Sequence, residues 1–141
     1  MRIAIDTNCL IAALTRPSGR SATVMDAWLD GHIEAVASEA TVREAELVLG
    51  GGWLARMVKG DVVNGLLRDL RTLSVWVDDP PRIPDLTLKD EGDRRMVETA
   101  VAGNASHIVT TDREFLSHRG YGAVEFVTPS EFLRLLGEGR G

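Results

Sequence analysis

The sequence predicts an α/β fold: a mostly parallel sheet of about five strands, with helices covering both faces. Two observations predict it. Strand-like and helix-like apolar patterns alternate from one end of the chain to the other. Acidic residues also stand directly after two of the apolar strands, at the carboxyl edge where parallel α/β sheets bind their ligands.

The elements follow in order. Arg2 to Ile5 is the first strand, with a short helix near Asn8 to Leu14. Pro17-Ser18-Gly19 breaks the chain before a helix from Ser21 to Leu29, which Gly31 stops. Ile33 to Ala37 is the second strand. Ser38 is placed to cap a helix running to Leu49, and Gly50-Gly51-Gly52 ends that helix. Helical stretches at Trp53 to Val58 and Asp61 to Leu70 lead to the third strand, Leu73 to Val77. Asp79 to Lys89, with Pro80, Pro81 and Pro84, is the longest loop. A helix from Gly92 to Val101 ends at Gly103, and His107 to Thr110 is the fourth strand. A short helical piece carries Phe115 and Leu116, and Val124 to Val127 is the fifth strand. Thr128-Pro129-Ser130-Glu131 opens the last helix as a capping box with proline at its first position. The proline-rich loop leaves too little chain for a second domain, so residues 1–141 are expected to form one.

Bulk properties narrow the function. Hydrophobic residues make up 44 %, which argues against disorder. No apolar run approaches the roughly 20 residues of a membrane span, and a strand begins at Met1-Arg2-Ile3, where a signal peptide would stand. The single cysteine, Cys9, cannot form an internal disulfide, so a reducing, cytoplasmic setting is expected. A net charge of -5 argues against a general nucleic-acid binder, unless several acids hold a divalent cation that reverses the local sign. Arg16, Arg20, Lys59, Arg82, Arg94, Arg95, Arg113 and Arg119 are candidates for a local basic rim.

Four acids carry the chemistry: Asp6, Glu44, Asp93 and Asp112. Asp6 and Asp112 follow apolar strands, where each also suits a helix cap. Asp93 shares a helical stripe with Met96, Val97 and Ala100, so it heads a face turned toward the core and needs a partner there. Glu44 and Glu46 flank the apolar arc of Val42, Ala45, Val48 and Leu49 on opposite sides, and periodicity does not choose between them. Thr110 is placed to donate its hydroxyl to a neighbouring carboxylate, and Asn8 to orient a ligand or water. Carboxylates gathered in one pocket repel unless a cation sits among them, and oxygen-only ligands suit Mg²⁺ or Mn²⁺. The set therefore points to metal-dependent phosphoryl transfer.

Other chemistries lack their residues. His32, His107 and His118 are scattered without zinc spacing, and the glycine triplet lacks the Lys-Ser/Thr of a phosphate loop. Trp28, Trp53 and Trp76 read as core or partner contacts. An aspartyl-phosphate phosphatase would need a second Asp two positions after Asp6, where Asn8 stands. A protein-binding module that kept the fold and lost catalysis is the non-enzymatic alternative.

Together the motifs resemble the PIN-domain nucleases. Asp6-Thr7-Asn8 with Leu10 and Ile11 looks like that family's first motif. Ser38 followed by Glu44-Ala45-Glu46-Leu47-Val48-Leu49 is similar to the second, a register that selects Glu44. Asp93 through Ala100 resembles the third, and Asp112, 19 residues after Asp93 with Thr110 two before it, the fourth. Phe126 to Leu133 resembles the VapC-like branch, the toxins of toxin–antitoxin pairs. The resemblance implies a three-layer α/β/α PIN-like domain and an acidic pocket, formed by Asp6, Glu44, Asp93 and Asp112, for Mg²⁺ or Mn²⁺. It also implies endonucleolytic cleavage of RNA, inhibition by a small antitoxin protein, and a homodimer. Arg94, Arg95 and Arg113 lie beside these ligands in sequence and are the candidate RNA contacts. Gly50-Gly51-Gly52-Trp53 stands where that branch commonly carries a basic, aromatic-containing stretch.

Overall fold

Each strand presents alternate residues to opposite faces of the sheet, and that alternation builds two separate cores. The computed structural model describes residues 1–140. In chain order the elements are β1 (Arg2–Ile5), α1 (Thr7–Thr15), α2 (Arg20–Leu29), β2 (Glu34–Ser38), α3 (Glu39–Leu49), α4 (Gly52–Ala55), α5 (Gly60–Leu73), β3 (Val75–Val77), α6 (Glu91–Ala102), β4 (His107–Val109), α7 (Arg113–Ser117), β5 (Gly120–Tyr121), β6 (Val124–Val127) and α8 (Pro129–Arg140). The six-stranded sheet runs in the order β3-β2-β1-β4-β6-β5. All neighbours pair in parallel except β5, which is antiparallel to β6.

Ile3, Ile5, Ala35, Ala37, Val109 and Val127 face one core, which is filled from α1, α2, α3, α5 and α8. Ala4, Val36, Ile108, Val124 and Phe126 face the other, filled from α6 and α7 and by Leu86 and Leu88. Phe115 meets Phe126 there edge to face, with ring centres 4.9 Å apart. Helices thus cover both faces, as the alternation of patterns predicts.

Boundaries differ from the sequence expectation where local signals compete. Strand β3 begins at Val75 because α5, with Val63, Leu66 and Leu70 buried, runs through to Leu73. The two residues of β5 are too few to show a period of two, and they add a sixth strand. The glycine triplet both ends α3, with Gly50 as its C-cap, and starts α4, with Gly51 as its N-cap. Val48, expected on the inner arc of α3, is exposed, and the buried arc is Thr41, Val42, Ala45 and Leu49. At the start of α8 the Thr128 hydroxyl accepts the Glu131 amide at 3.1 Å.

The long loop before α6 is tied down by a buried acid that sequence reading passed over. Glu98 is 1 % exposed. Its carboxylate meets Arg95 at 2.8 Å and Arg82 at 3.4 Å, and accepts the Ile83 amide at 2.7 Å. Arg95 also donates to the Pro80 carbonyl at 3.2 Å. Further along, Thr87 bonds His118 and Tyr121 donates to Asp85. These contacts fix the path by which the chain enters α6. Replacing Glu98 with Ala strands Arg95 and the Ile83 amide, so Glu98→Ala is expected to lower unfolding free energy by about 3 kcal/mol. Urea denaturation measures this, and an unchanged midpoint would refute the clamp.

Candidate active site

The carboxyl ends of β1 and β4 form the floor of the site. These strands pair in parallel with Ile5 beside Val109, so Asp6 and Thr110 leave the sheet as neighbours. The Asp6 amide still bonds the Val109 carbonyl at 3.0 Å. Continuing the alternation, Asp6 and Thr110 point to the α6 face, with Ala4 and Ile108. Because β2 and β4 lie on opposite sides of β1, this edge is the switch point of the sheet, where a crevice opens.

Asp6 occupies the N-cap position of α1, yet its side chain makes no capping bond. Its Oδ2 instead accepts from the fully buried Thr110 hydroxyl at 2.7 Å. The same Thr110 oxygen accepts the Asp112 amide at 3.1 Å, which fixes the hydroxyl's direction. Asp6 is only 7 % exposed. Burial pushes its pKa up to about 6, opposed by the Thr110 bond and the Thr7 amide and assisted by the charges of Asp112 and Glu44.

Asp93 stands in the first turn of α6, half-buried, below Met96, Val97 and Ala100. Asp90 caps that helix by accepting the Asp93 amide at 3.0 Å, so the Asp93 carboxyl is not needed as a cap. Burial raises its pKa to about 7, and the charges of Asp6, Asp90, Asp112 and Glu44 push in the same direction. Asp112 caps α7, its Oδ1 accepting the Glu114 amide at 2.9 Å. Asp112 therefore has both the capping role and a place beside Asp6 and Asp93.

The two glutamates of α3 separate clearly. Glu46 is exposed and pairs with Arg71 at 2.7 Å. Glu44 is half-buried, has no ion pair among the described residues, and lies against the first turn of α6. A Cβ built on Gly92 would overlap the Glu44 carboxylate, so a side chain there would displace it. Burial, and then the charge of Asp90, raise the Glu44 pKa. Its effect on Asp93 is the weakest of the four charges, so Glu44 sits at the margin of the group. Ser38 at the N-cap of α3 bonds Thr99 of α6 at 2.8 Å, both fully buried, and this ties the two helices together.

The remaining sequence candidates scatter. Asn8 is exposed and lines a cleft with Trp53 and Met57. Arg113 is exposed in the first turn of α7, beside Asp112. Arg94 is half-buried, and its Nε has no hydrogen-bond partner. Arg95, a candidate RNA contact from sequence, has its guanidinium bonded to Glu98 and the Pro80 carbonyl. Trp28 is buried in the core, whereas Trp53 is 55 % exposed. Gly92 and the Ser38–Thr99 pair were not singled out from sequence. A glycine inside the first turn of a helix is the one visible hint of close approach.

Among the described residues no three His, Cys, Asp or Glu side chains stand close enough to hold an ion as placed. Asp6, Asp93 and Asp112 are a group by mutual charge, with Glu44 at its edge, and not a closed coordination shell. Their donors are all carboxylate oxygens, and none of the four is ion-paired to a described Lys or Arg. That donor set fits a hard divalent cation.

A carboxylate group at the switch point of a parallel α/β/α sheet places the molecule in the class of α/β proteins built around an acidic site. The chain belongs to the PIN domain family, whose match spans residues 2–114 and so includes all four acids. PIN domains are generally nucleases. Among solved structures it is similar to PAE2754 from Pyrobaculum aerophilum, with a TM-score of 0.64 and 18% identity over 98% of this chain and 90% of that one. It is also similar to VapBC2 from Rickettsia felis, determined bound to a DNA fragment from their promoter, with a TM-score of 0.56 and 13% identity over 89% of this chain and 98% of that one. At these identities the likeness is one of fold. No curated protein matches the chain.

The raised carboxyl pKa values give metal-free stability a definite pH dependence. Asp6 and Asp93 bind protons more tightly in the folded state, from 3.8 up to about 6 and about 7. Their contribution is complete below the unfolded pKa and is lost as pH rises through the folded values. In EDTA the melting temperature is therefore expected to fall between about pH 4 and pH 7, and Asp93→Asn to flatten that fall and melt higher at the alkaline end. A melting temperature that rises with pH in both proteins would contradict the charge grouping.

Proposed function

We propose that the chain is a Mg²⁺- or Mn²⁺-dependent endoribonuclease and acts as the toxin of a toxin–antitoxin pair. The observation that carries the nuclease reading is the cluster of Asp6, Asp93 and Asp112 at one sheet edge, where Asp112 acts on Asp6, and Asp6 and Asp112 act on Asp93, with no protein cation bonded among them. Membership of the PIN domain family supports the same chemistry. The toxin role is supported by the VapC-like ending and by the fold shared with VapBC2. A small antitoxin, a homodimeric assembly, a single domain over residues 1–141 and a cytoplasmic setting complete the proposal. Among the described residues no helix is long and apolar enough to cross a membrane.

In this reading Asp6, Asp93 and Asp112 hold the cation, with Glu44 at the edge of the group. A bound divalent ion supplies a water of lowered pKa and neutralises charge on the phosphate. Thr110 fixes the rotamer of Asp6 through its donated hydrogen bond. Asn8 in the first turn of α1 and Arg113 in the first turn of α7 closely follow Asp6 and Asp112, where they can orient the RNA. Gly92 keeps space for the Glu44 carboxylate.

Purified protein is expected to cleave single-stranded RNA with Mn²⁺ or Mg²⁺ and to lose that activity in EDTA. Gly92→Ala displaces Glu44, so activity should fall on the order of 100-fold. Stability should hold or rise, since Ala is the better helix former. Cleavage that survives thorough chelation would sink the metal mechanism, and full activity in Gly92→Ala would remove Glu44 from the site.

A further inference from the structure

Among the described residues only some of the cations are ion-paired. Arg2, Arg43, Arg71, Arg82 and Arg95 each have a carboxylate partner. Arg16 and Arg20 are exposed and, like Arg68 and Arg113 among others, have none among the described residues. Both line a cleft of about 310 Å³ between the α1–α2 connection, the end of β4 and the start of α8, where Thr111 and Ser130 add hydroxyl groups. A second cleft, of about 560 Å³, shares Ala12, Arg16 and Thr111 with the first and continues to Asn8, Trp53 and Met57. The two form one groove. It passes Thr111, the residue between Thr110 and Asp112, and Asn8, two residues beyond Asp6. One end is basic; the other carries an indole that is 55 % exposed.

We propose that this groove is the track for a single RNA strand: Arg16 and Arg20 hold backbone phosphates at one end, and Trp53 stacks a base at the other. The proposal rests on the ribonuclease reading and gives it a substrate path. Phosphates approaching a chain of net charge -5 need local cations, and these two lie on a groove lined by Thr111 and Asn8, which neighbour Asp112 and Asp6 in sequence. An exposed indole stacks any unpaired base, which a duplex does not offer. A strand lying from Arg20 to Trp53 passes Thr111, next to Asp112 in sequence, and Asn8, two residues beyond Asp6.

The test uses Asp93→Asn, expected not to cut under the ribonuclease reading, and a fluorescein-labelled single-stranded oligoribonucleotide of roughly 12 nucleotides. Anisotropy is measured with Mn²⁺ between about 50 and 200 mM salt. Adding Arg16→Ala with Arg20→Ala should weaken binding roughly tenfold and reduce the slope of log K against log salt by about 1.4. Trp53→Ala should weaken binding roughly tenfold with the slope unchanged. Arg68→Ala, an exposed cation on α5, should change neither by as much. Unchanged affinity and slope in the arginine pair, or an equal effect from Arg68→Ala, would overturn the track. Cleavage by wild type beside such a result would leave the nuclease standing and remove only the groove. Arginine-dependent binding without any cleavage by wild type would support the groove and sink the nuclease reading. Loss of binding to a small protein inhibitor, with RNA binding intact, would assign the groove to that protein and overturn the proposal.

Discussion

The parallel register of β1 against β4 is the constraint on which the site depends. Ile5 lies beside Val109, so the two strands end level and their next residues, Asp6 and Thr110, meet through a 2.7 Å hydrogen bond. The apolar alternation that sorts Ile3 and Ile5 from Ala4 also aims Asp6 at the face covered by α6. A slip of one residue would turn Asp6 toward the α1 and α2 core and leave Thr110 without its acceptor. Core packing and the direction of the first carboxylate are therefore set by the same pattern.

Gathering like charges at this edge costs free energy, and the scaffold offsets the cost with contacts that lie outside the group. Asp90 takes over the capping of α6, which leaves the Asp93 carboxyl free. Ser38 and Thr99 link α3 to α6 through a buried bond, and the Glu98 clamp fixes the loop that leads into α6. Gly92 lets the Glu44 carboxylate rest on that helix. Burial first, and then the neighbouring carboxylate charges, raise the carboxyl pKa values at Asp6 and Asp93. A divalent cation is the simplest group that would relieve the mutual repulsion.

Much of this was legible in the sequence because it depends on local pattern. The stripe under Asp93, the strand before Asp6, the caps at Ser38 and Thr128 and the glycine stop after Leu49 all follow from periodicity or capping. What depends on contacts between distant segments was not legible. Periodicity alone left Glu44 and Glu46 undecided; the motif resemblance picks Glu44, and Arg71 on one side and Gly92 on the other supply the physical difference. Arg95 looks like Arg94 and Arg113 in sequence, yet it spends its guanidinium on Glu98. Trp53 follows a glycine run, and its exposure is set by the abrupt turn from α3 into α4. The two residues of β5 pair with β6 through chain reversal at Gly122, which has φ +57, and no period betrays so short a strand.

The account centres on carboxylates poised to take a divalent cation. Titration calorimetry with Mn²⁺ on the metal-free protein and on Asp6→Asn tests this most directly, run near pH 7 in two buffers of different ionisation heat. Wild type is expected to bind and to release protons, because Asp93 and Asp6, with pKa values of about 7 and about 6, hold protons in part at that pH. The folded Asp6→Asn variant is expected to show no binding. A folded wild type that gives no heat of binding and releases no protons would contradict the account.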